Sequence, residues 1–334
     1  MRLSAMGDVA MTVPVLRALL AQHPEVRLTV ISRPFFAPFF KDLPRTDFFA
    51  FDAHKRHKGV LGLLQLYWDL KPLQIDYFAD LHNVLRSKFI RSRFAIRGTK
   101  TAATDKGRAE KKALTRAQNK VFKPLKTMYE RHAQTFAQLG FEIDLSHPVF
   151  PKQTLSPETI VVTGIKTQKW VGIAPFAQYA GKVYPQDLMR EVVAGLAQEN
   201  SCKIFLFGSR DEVAQLKNLA GSFQNVQIIA GKLSLAHELE LIANLDVMLS
   251  MDSGNAHLAA MYGVQVVTLW GATHPYAGFL PFGQPIENAL TADRNQYPLL
   301  PTSVYGNKVV PGYEDVMRTI RPEKVIQKIK SLLL

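Results

Sequence analysis

The stretch Val247–Pro275, VMLSMDSGNAHLAAMYGVQVVTLWGATHP, admits very few folds. Val247–Met251 is a short apolar run that stops abruptly at Asp252-Ser253-Gly254-Asn255. Ala256–Tyr262 continues as a helix, Gly263 ends it, and Gln265–Trp270 is β-rich and nearly all apolar, as a buried parallel strand is. Ser253 is placed to cap the helix, and Gly254 lets the backbone approach a ligand. Strand, turn, helix and strand in this order leave unpaired N–H groups and the positive end of a helix dipole at the carboxyl edge of a sheet. Phosphates bind there in α/β proteins.

The remaining chain repeats the alternation. Arg2–Ala5 reads as the end of a first strand with almost no residues before it, so that strand is either very short or clipped. A turn at Met6-Gly7-Asp8 and a helix to about Gln22 follow. Leu28–Ser32, Phe48–Phe51 and Ile75–Leu81 are the next strand candidates, and Tyr129–Leu139 a helix closed by Gly140. Residues 98–120 are polar and basic without an apolar stripe and predict a substrate-facing loop with some helix. Pro148–Glu158, with three prolines, predicts the linker. Beyond it, Trp170–Pro175, Lys203–Phe207 and Val226–Ile229 read as strands, Pro185–Asn200 and Leu235–Asn244 as helices, and Pro322–Leu334 as a last helix begun by proline. The fold class expected is α/β: two doubly wound, Rossmann-like domains, residues 1–150 and 151–321, facing across a cleft.

With 334 residues and 47% hydrophobic composition, the chain can bury two cores. No run of about 18 uncharged apolar residues occurs, so no transmembrane helix is expected. Met1-Arg2-Leu3 leads straight into a glycine-containing turn, so no signal peptide is expected either. A single cysteine, Cys202, fits a reducing, cytoplasmic setting. The net charge of +13 is concentrated: Arg86–Arg131 holds 15 Lys/Arg against Asp105, Glu110 and Glu130. Such an excess points to a polyanionic partner, with a solvated basic face as the plainer alternative.

Several polar residues follow strand ends, where such sheets bind ligands. Lys182 and the amides of Ser253, Gly254, Asn255, Ala256 and His257 are candidates to hold a diphosphate. Glu212 is a candidate for a ribose diol, and Leu233 for an apolar wall against a base. Each has an ordinary structural alternative: Asp8, Asp252 and Glu212 as helix caps, Lys182 as a surface lysine, His257 and Leu233 as packed residues. No D-x-D pair, Walker loop, G-x-G-x-x-G or His/Cys metal spacing occurs. That disfavours P-loop kinases, NAD enzymes and metal-dependent sugar transferases, and no metal or other cofactor is expected.

RLSAMGDVAMTVPVLRAL, the APFA…GKVYP segment, FGSRDE and above all SMDSGNAHLAAMYGVQVVTLWGATHP resemble the ADP-heptose:lipopolysaccharide heptosyltransferase family, glycosyltransferase family nine. The specific part is D-[ST]-G-x-x-H followed by a strand and G-x-T-x-P. The resemblance implies a GT-B type, inverting, metal-independent glycosyltransferase using a nucleotide sugar such as ADP-heptose. It implies Asp8 as general base, Asp252 on donor-sugar hydroxyls, Lys182 and the Ser253–His257 amides on the departing diphosphate, and Glu212 on the ribose. It also implies a final helix, 322–334, packed back on the first domain. The basic segment, with Arg91, Arg93, Lys111 and Lys112, would then meet an anionic glycolipid acceptor at the inner membrane face. Two other functions stay open: a nucleotide-sugar epimerase or hydrolase, and a basic nucleic-acid-binding protein. The latter has few stacking aromatics in its favour, and no nucleic acid is expected as partner.

Overall fold

The computed structural model describes residues 1–308 and 310–334. In chain order its elements are α1 (Met6–Ala10), α2 (Thr12–Gln22), β1 (Leu28–Ser32), β2 (Thr46–Ala50), α3 (Gly59–Leu70), β3 (Tyr77–Asp80), α4 (Leu85–Ile96) and β4 (Lys100–Ala103). There follow α5 (Arg108–Thr115), α6 (Met128–Ala137), α7 (Pro157–Thr163), β5 (Lys169–Ala174), α8 (Gln186–Ala197), β6 (Cys202–Leu206), α9 (Val213–Ala220) and β7 (Val226–Ile228). The chain closes with α10 (Leu235–Ala243), β8 (Val247–Met251), α11 (Gly254–Ala260), β9 (Gln265–Trp270), β10 (Ala289–Thr291) and α12 (Pro322–Leu333). It divides into two compact units, Met1–Gly107 with Lys126–Val149, and Arg108–Leu125 with Phe150–Leu334.

The second unit is built on an all-parallel sheet of order β10-β9-β8-β5-β6-β7. The chain leaves β5 outward through β6 and β7, returns to β8 beside β5, and leaves the other way through β9 and β10. Every residue of β8 is buried, as are five of the six in β5 and in β9. Helices on both faces make this necessary, and it explains the uninterrupted apolar runs. Trp170 of β5 meets Phe205 of β6 edge-on with ring centroids 4.9 Å apart. Helix starts follow the capping chemistry of the sequence: Ser156 before Pro157 caps α7, and Ser234 caps α10.

The last helix departs from the expectation. Val325 and Ile329 of α12 are fully buried in the core of the second unit, with α8. Gly195 of α8 makes this possible, since a Cβ there would lie 2.5 Å from Ile326 Cδ1. A β-carbon at that position would force the Ile326 side chain to move. Tyr184 donates its hydroxyl to the Ile320 carbonyl at 2.5 Å and fixes the entry to α12. Helix α12 is therefore part of the second unit's own core. The boundary also differs: Arg108–Leu125 belongs to the second unit, because Leu114 and Leu125 are buried with Ala277.

The first unit contains two parallel strand pairs, β1 with β2 and β3 with β4. Met1–Leu3 run extended between them: Arg2 N donates to Ile31 O and Leu81 N to Met1 O, both at 3.1 Å. Leu66, Tyr67 and Leu70 of α3 and Ile90 and Phe94 of α4 cover one face with Ile31, Phe51 and Phe78. Strand β4 lies where a loop with some helix was expected, and α5 supplies the helical part. Helix α6 begins with a reciprocal cap, Thr127 N donating to Glu130 Oε2 at 2.6 Å and Glu130 N to Thr127 Oγ1 at 3.2 Å.

Ile329→Ala should destabilise the second unit by about 2–5 kcal/mol in urea unfolding. Amide exchange should rise in α8 and stay unchanged in β3 and β4; the reverse pattern would move the helix to the first unit.

Candidate functional site

The strand order makes one place in the second unit distinct. Chain connections leave β5 and β8 in opposite directions, so the loops after these neighbouring strands part and leave a crevice at their carboxyl ends. Lys182 comes from the first loop and Asp252 from the second. The Lys182 ammonium stands 2.7 Å from Asp252 Oδ2 and donates to the Asp252 carbonyl at 3.0 Å. Both side chains are largely removed from water, 16% and 6% exposed. Two opposite charges so placed persist because each neutralises the other, and removing one would leave the partner costly to hold.

Other segments fix the lysine. Ala272 N donates to Gly181 O at 2.9 Å, joining the loop after β5 to the turn after β9. Gly306, at φ +79°, has the Lys182 stem where a side chain would stand, its Cγ 2.6 Å from a built Cβ. Only glycine combines that backbone conformation with that contact. Thr302 N and Ser303 N donate to Ala272 O at 2.9 and 3.1 Å, and Gly306 N to Ser303 Oγ at 2.9 Å. The 302–306 segment therefore supports Lys182, a role the sequence reading did not contain. Thr273 Oγ1 is buried without a partner among the described residues.

Ser253 does not cap α11. Its hydroxyl is 3.0 Å from Ser250 Oγ, and the helix start carries no side-chain cap. Gly254 and Asn255 are half-buried, Ala256 and His257 buried. Glu212 follows its alternative reading: Oε2 accepts the Ser209 amide at 2.6 Å and closes the turn before α9. Leu233 is half-buried beyond β7, and both residues lie on the β6–β7 side of the sheet, away from β8. His274 Nδ1 accepts the Tyr276 amide at 3.2 Å, with its ring edge-on to Phe122 at 5.0 Å. Burial, and then the Arg294 cation, lower its pKa to about 4.

In the first unit Asp8 lies in the first turn of α1. Arg2 Nη2 stands 2.5 Å from its Oδ2, which also accepts the Ala5 amide at 3.2 Å. Asp8 thus acts as a cap and is a third exposed as well. The buried Arg2 guanidinium is itself held by the Leu81 and Ser4 carbonyls at 2.7 and 2.9 Å. Just past β3 lies a polar group that sequence reasoning missed. Fully buried Asp80 accepts the amides of His82 and Asn83 at 3.1 and 2.7 Å, and buried His82 Nδ1 has no partner among the described residues. Burial foremost, then the Arg2 and Lys106 cations, lower the His82 pKa to about 4. The D-L-H-N run after a strand was the available signal.

The basic segment is not one surface. Lys111 is buried, its ammonium 4.1 Å from the Phe279 ring centre, and cannot reach outward as an acceptor ligand. Arg131 is buried against Asp105, and Lys120 donates to Pro301 O at 2.7 Å. Arg91 lies 4.0 Å from Asp80, Arg93 rests over Phe89, and Lys112 is exposed. Among the described residues no three His, Cys, Asp or Glu side chains are grouped as a metal ion requires.

The family model for glycosyltransferase family 9 (heptosyltransferase) matches residues 64–310. Lipopolysaccharide heptosyltransferase 1 of Pseudomonas aeruginosa is 24% identical over 217 residues, 62% of this chain and 57% of that one. Lipopolysaccharide core heptosyltransferase OpsX of Haemophilus influenzae is 23% identical over 291 residues, 82% of this chain and 79% of that one. The chain thus spans little over half the length of the first of these relatives. Among solved structures, E. coli heptosyltransferase WaaC with ADP superposes with a TM-score of 0.66 at 19% identity, covering 99% of this chain and 98% of the other.

Because His82 and His274 bind protons less readily folded than unfolded, stability should be full above pH 6.5 and fall as the pH drops toward 4. Urea unfolding at pH 7 and pH 5 measures the loss. The loss should be smaller in His82→Gln combined with His274→Gln.

Proposed function

Because the chain belongs to glycosyltransferase family 9, the heptosyltransferase family, we propose that it transfers a heptose from ADP-heptose to a lipopolysaccharide core or lipid A-type acceptor, inverting the anomeric carbon without a metal. The observation that carries the reading is the Lys182–Asp252 pair at the β5/β8 crevice. A diphosphate brings the charge that Lys182 needs, and Asp252 is then released to sugar hydroxyls. The amides of Ser253, Gly254, Asn255, Ala256 and His257 add donors from a helix start with no side-chain cap. Thr273, with its buried hydroxyl, is a further donor candidate. Glu212 and Leu233 remain the candidates for ribose and base, with Glu212 offering what its turn bond leaves over.

The acceptor hydroxyl attacks the anomeric carbon as the bond to the diphosphate oxygen breaks. Asp8 takes the hydroxyl proton, and Arg2 holds the carboxylate in a fixed orientation. Negative charge collects on the leaving ADP, where Lys182 and the amides are already aimed, so no reorganisation is needed as the charge develops. Neutral His82 can accept or donate one hydrogen bond to an acceptor hydroxyl. Arg91, Arg93 and Lys112 remain candidates for acceptor phosphates, whereas Lys111 is withdrawn.

An acceptor of this kind lies in a membrane. Among the described residues no helix is long and apolar enough to cross one. The exposed Val60, Leu61 and Trp68 of α3 and Leu85 of α4 stand among Lys58, Lys71, Arg86 and Arg93. Apolar residues amid cations suit the anionic face of a bilayer.

Asp8→Asn should lower kcat by about a hundred- to ten-thousand-fold while calorimetric ADP affinity stays unchanged. Lys182→Ala should weaken ADP binding by about tenfold or more. Sugar release without acceptor at the full transfer rate would instead indicate a hydrolase or epimerase. Leu61→Glu with Trp68→Ala should reduce co-sedimentation with anionic vesicles while leaving ADP binding intact.

A further inference from the structure

The segment 108–125 interrupts the first unit in sequence yet is built into the second. Its apolar contact is small: Leu114 and Leu125 are buried with Ala277, and Phe122, Tyr276 and Phe279 pack against them. What marks the segment is where its other contacts fall. Leu125 N donates to Tyr276 O at 2.9 Å. The Phe122 ring lies edge-on to His274 and tilted against Tyr276, with centroids 5.0 and 4.9 Å apart. On the other side Lys120 donates to Pro301 O at 2.7 Å. The Arg294 guanidinium covers the Phe122 ring at 3.5 Å while donating to Leu300 O at 3.0 Å. These contacts fall on two stretches, 274–279 and 294–301. Both lie outside the sheet strands and the α-helices, and loops of that kind hold their shape only through such contacts.

Just beyond the two stretches, Ala272 O accepts Thr302 N and Ser303 N at 2.9 and 3.1 Å, and Ala272 N donates to Gly181 O at 2.9 Å, one residue before Lys182. Gly306, in the same segment as Thr302, lies under the Lys182 stem. A continuous series of contacts therefore runs from Phe122 through His274 and Arg294 to Ala272, and from there to the lysine. We infer that residues 108–125 form a strap on the donor-phosphate site, in which Phe122, wedged between Arg294 and His274, is a positioning residue that sets Lys182 against a diphosphate. The inference rests on the nucleotide-sugar reading above and adds to it the part that keeps the site in shape. A cation over one face of a ring and a second ring at its edge hold that ring in a defined direction. His274 suits its place because burial, and then Arg294, keep it neutral near pH 7, so the ring is not set between two cations. A mere cover for the core would need only apolar area. Lys120 instead keeps its ammonium on a carbonyl although burial, and then Arg294, lower its pKa to about 8.

Calorimetry with ADP on the full chain tests the strap. Phe122→Ala should weaken ADP binding about three- to tenfold, and Phe122→Tyr, which keeps a ring in place, should restore it. In a Lys182→Ala background, Phe122→Ala should cost little further, because the group it steers is gone. Losses that multiply in the double variant would reveal a general structural role and overturn the proposal. So would an ADP affinity unchanged by Phe122→Ala. If that variant fails to fold, Lys120→Met, which releases Pro301, carries the same expectations in both backgrounds. An unaltered chain without affinity for ADP would remove the nucleotide-sugar reading and this inference together, whereas ADP binding indifferent to Phe122 and Lys120 removes this inference alone.

Discussion

Parallel pairing between β5 and β8 is the constraint on which the second unit depends. Parallel neighbours cannot be joined by a tight turn, so every connection must cross a face of the sheet, and both faces are consequently covered. The fully buried β8 carries no charge along its length. Polar chemistry is therefore confined to strand ends. Where connections diverge, two of those ends form a crevice, and Lys182 and Asp252 enter it from either side.

Both candidate carboxylates are paired with a cation already in place: Asp252 with Lys182, and Asp8 with Arg2. The two pairs differ in their supports. Lys182 is steered by backbone, through Gly306 beneath its stem and the Gly181–Ala272 bond. Arg2 is steered by carbonyls at the end of a strand, Leu81 and Ser4. Such preorganisation is what electrostatic catalysis needs, since the surroundings do not have to reorient as charge develops.

The strands of the second unit were legible because burial on both faces leaves apolar runs with sharp polar stops. Asp252 was legible for the same reason, as the first polar group beyond such a run, and Lys182 as the one charged residue in the loop between β5 and α8. Helix α4 was not, because LRSKFIRSRFAI buries only Ser87, Ile90 and Phe94 and otherwise carries basic residues. Lys111 was misread because charge patterning does not register a ring across which a stem can lie. Ser253 looked like a cap, but Ser250, three residues earlier near the end of β8, offered a competing partner. The seat of α12 depended on Gly195 meeting Ile326, a contact between residues far apart in sequence that no local pattern carries.

Arg2 lies in the short extended segment Met1–Leu3, with its guanidinium 2.5 Å from Asp8. Since strand side chains alternate, a slip of one residue in that short segment would exchange the faces of Arg2 and Leu3. The guanidinium would then point into the α3–α4 core, and Leu3 toward the carboxylate. The backbone bonds that hold Met1–Leu3 to Ile31, Ala79 and Leu81 therefore set the aim of Asp8, coupling a purely architectural feature to the chemistry at the edge of the sheet.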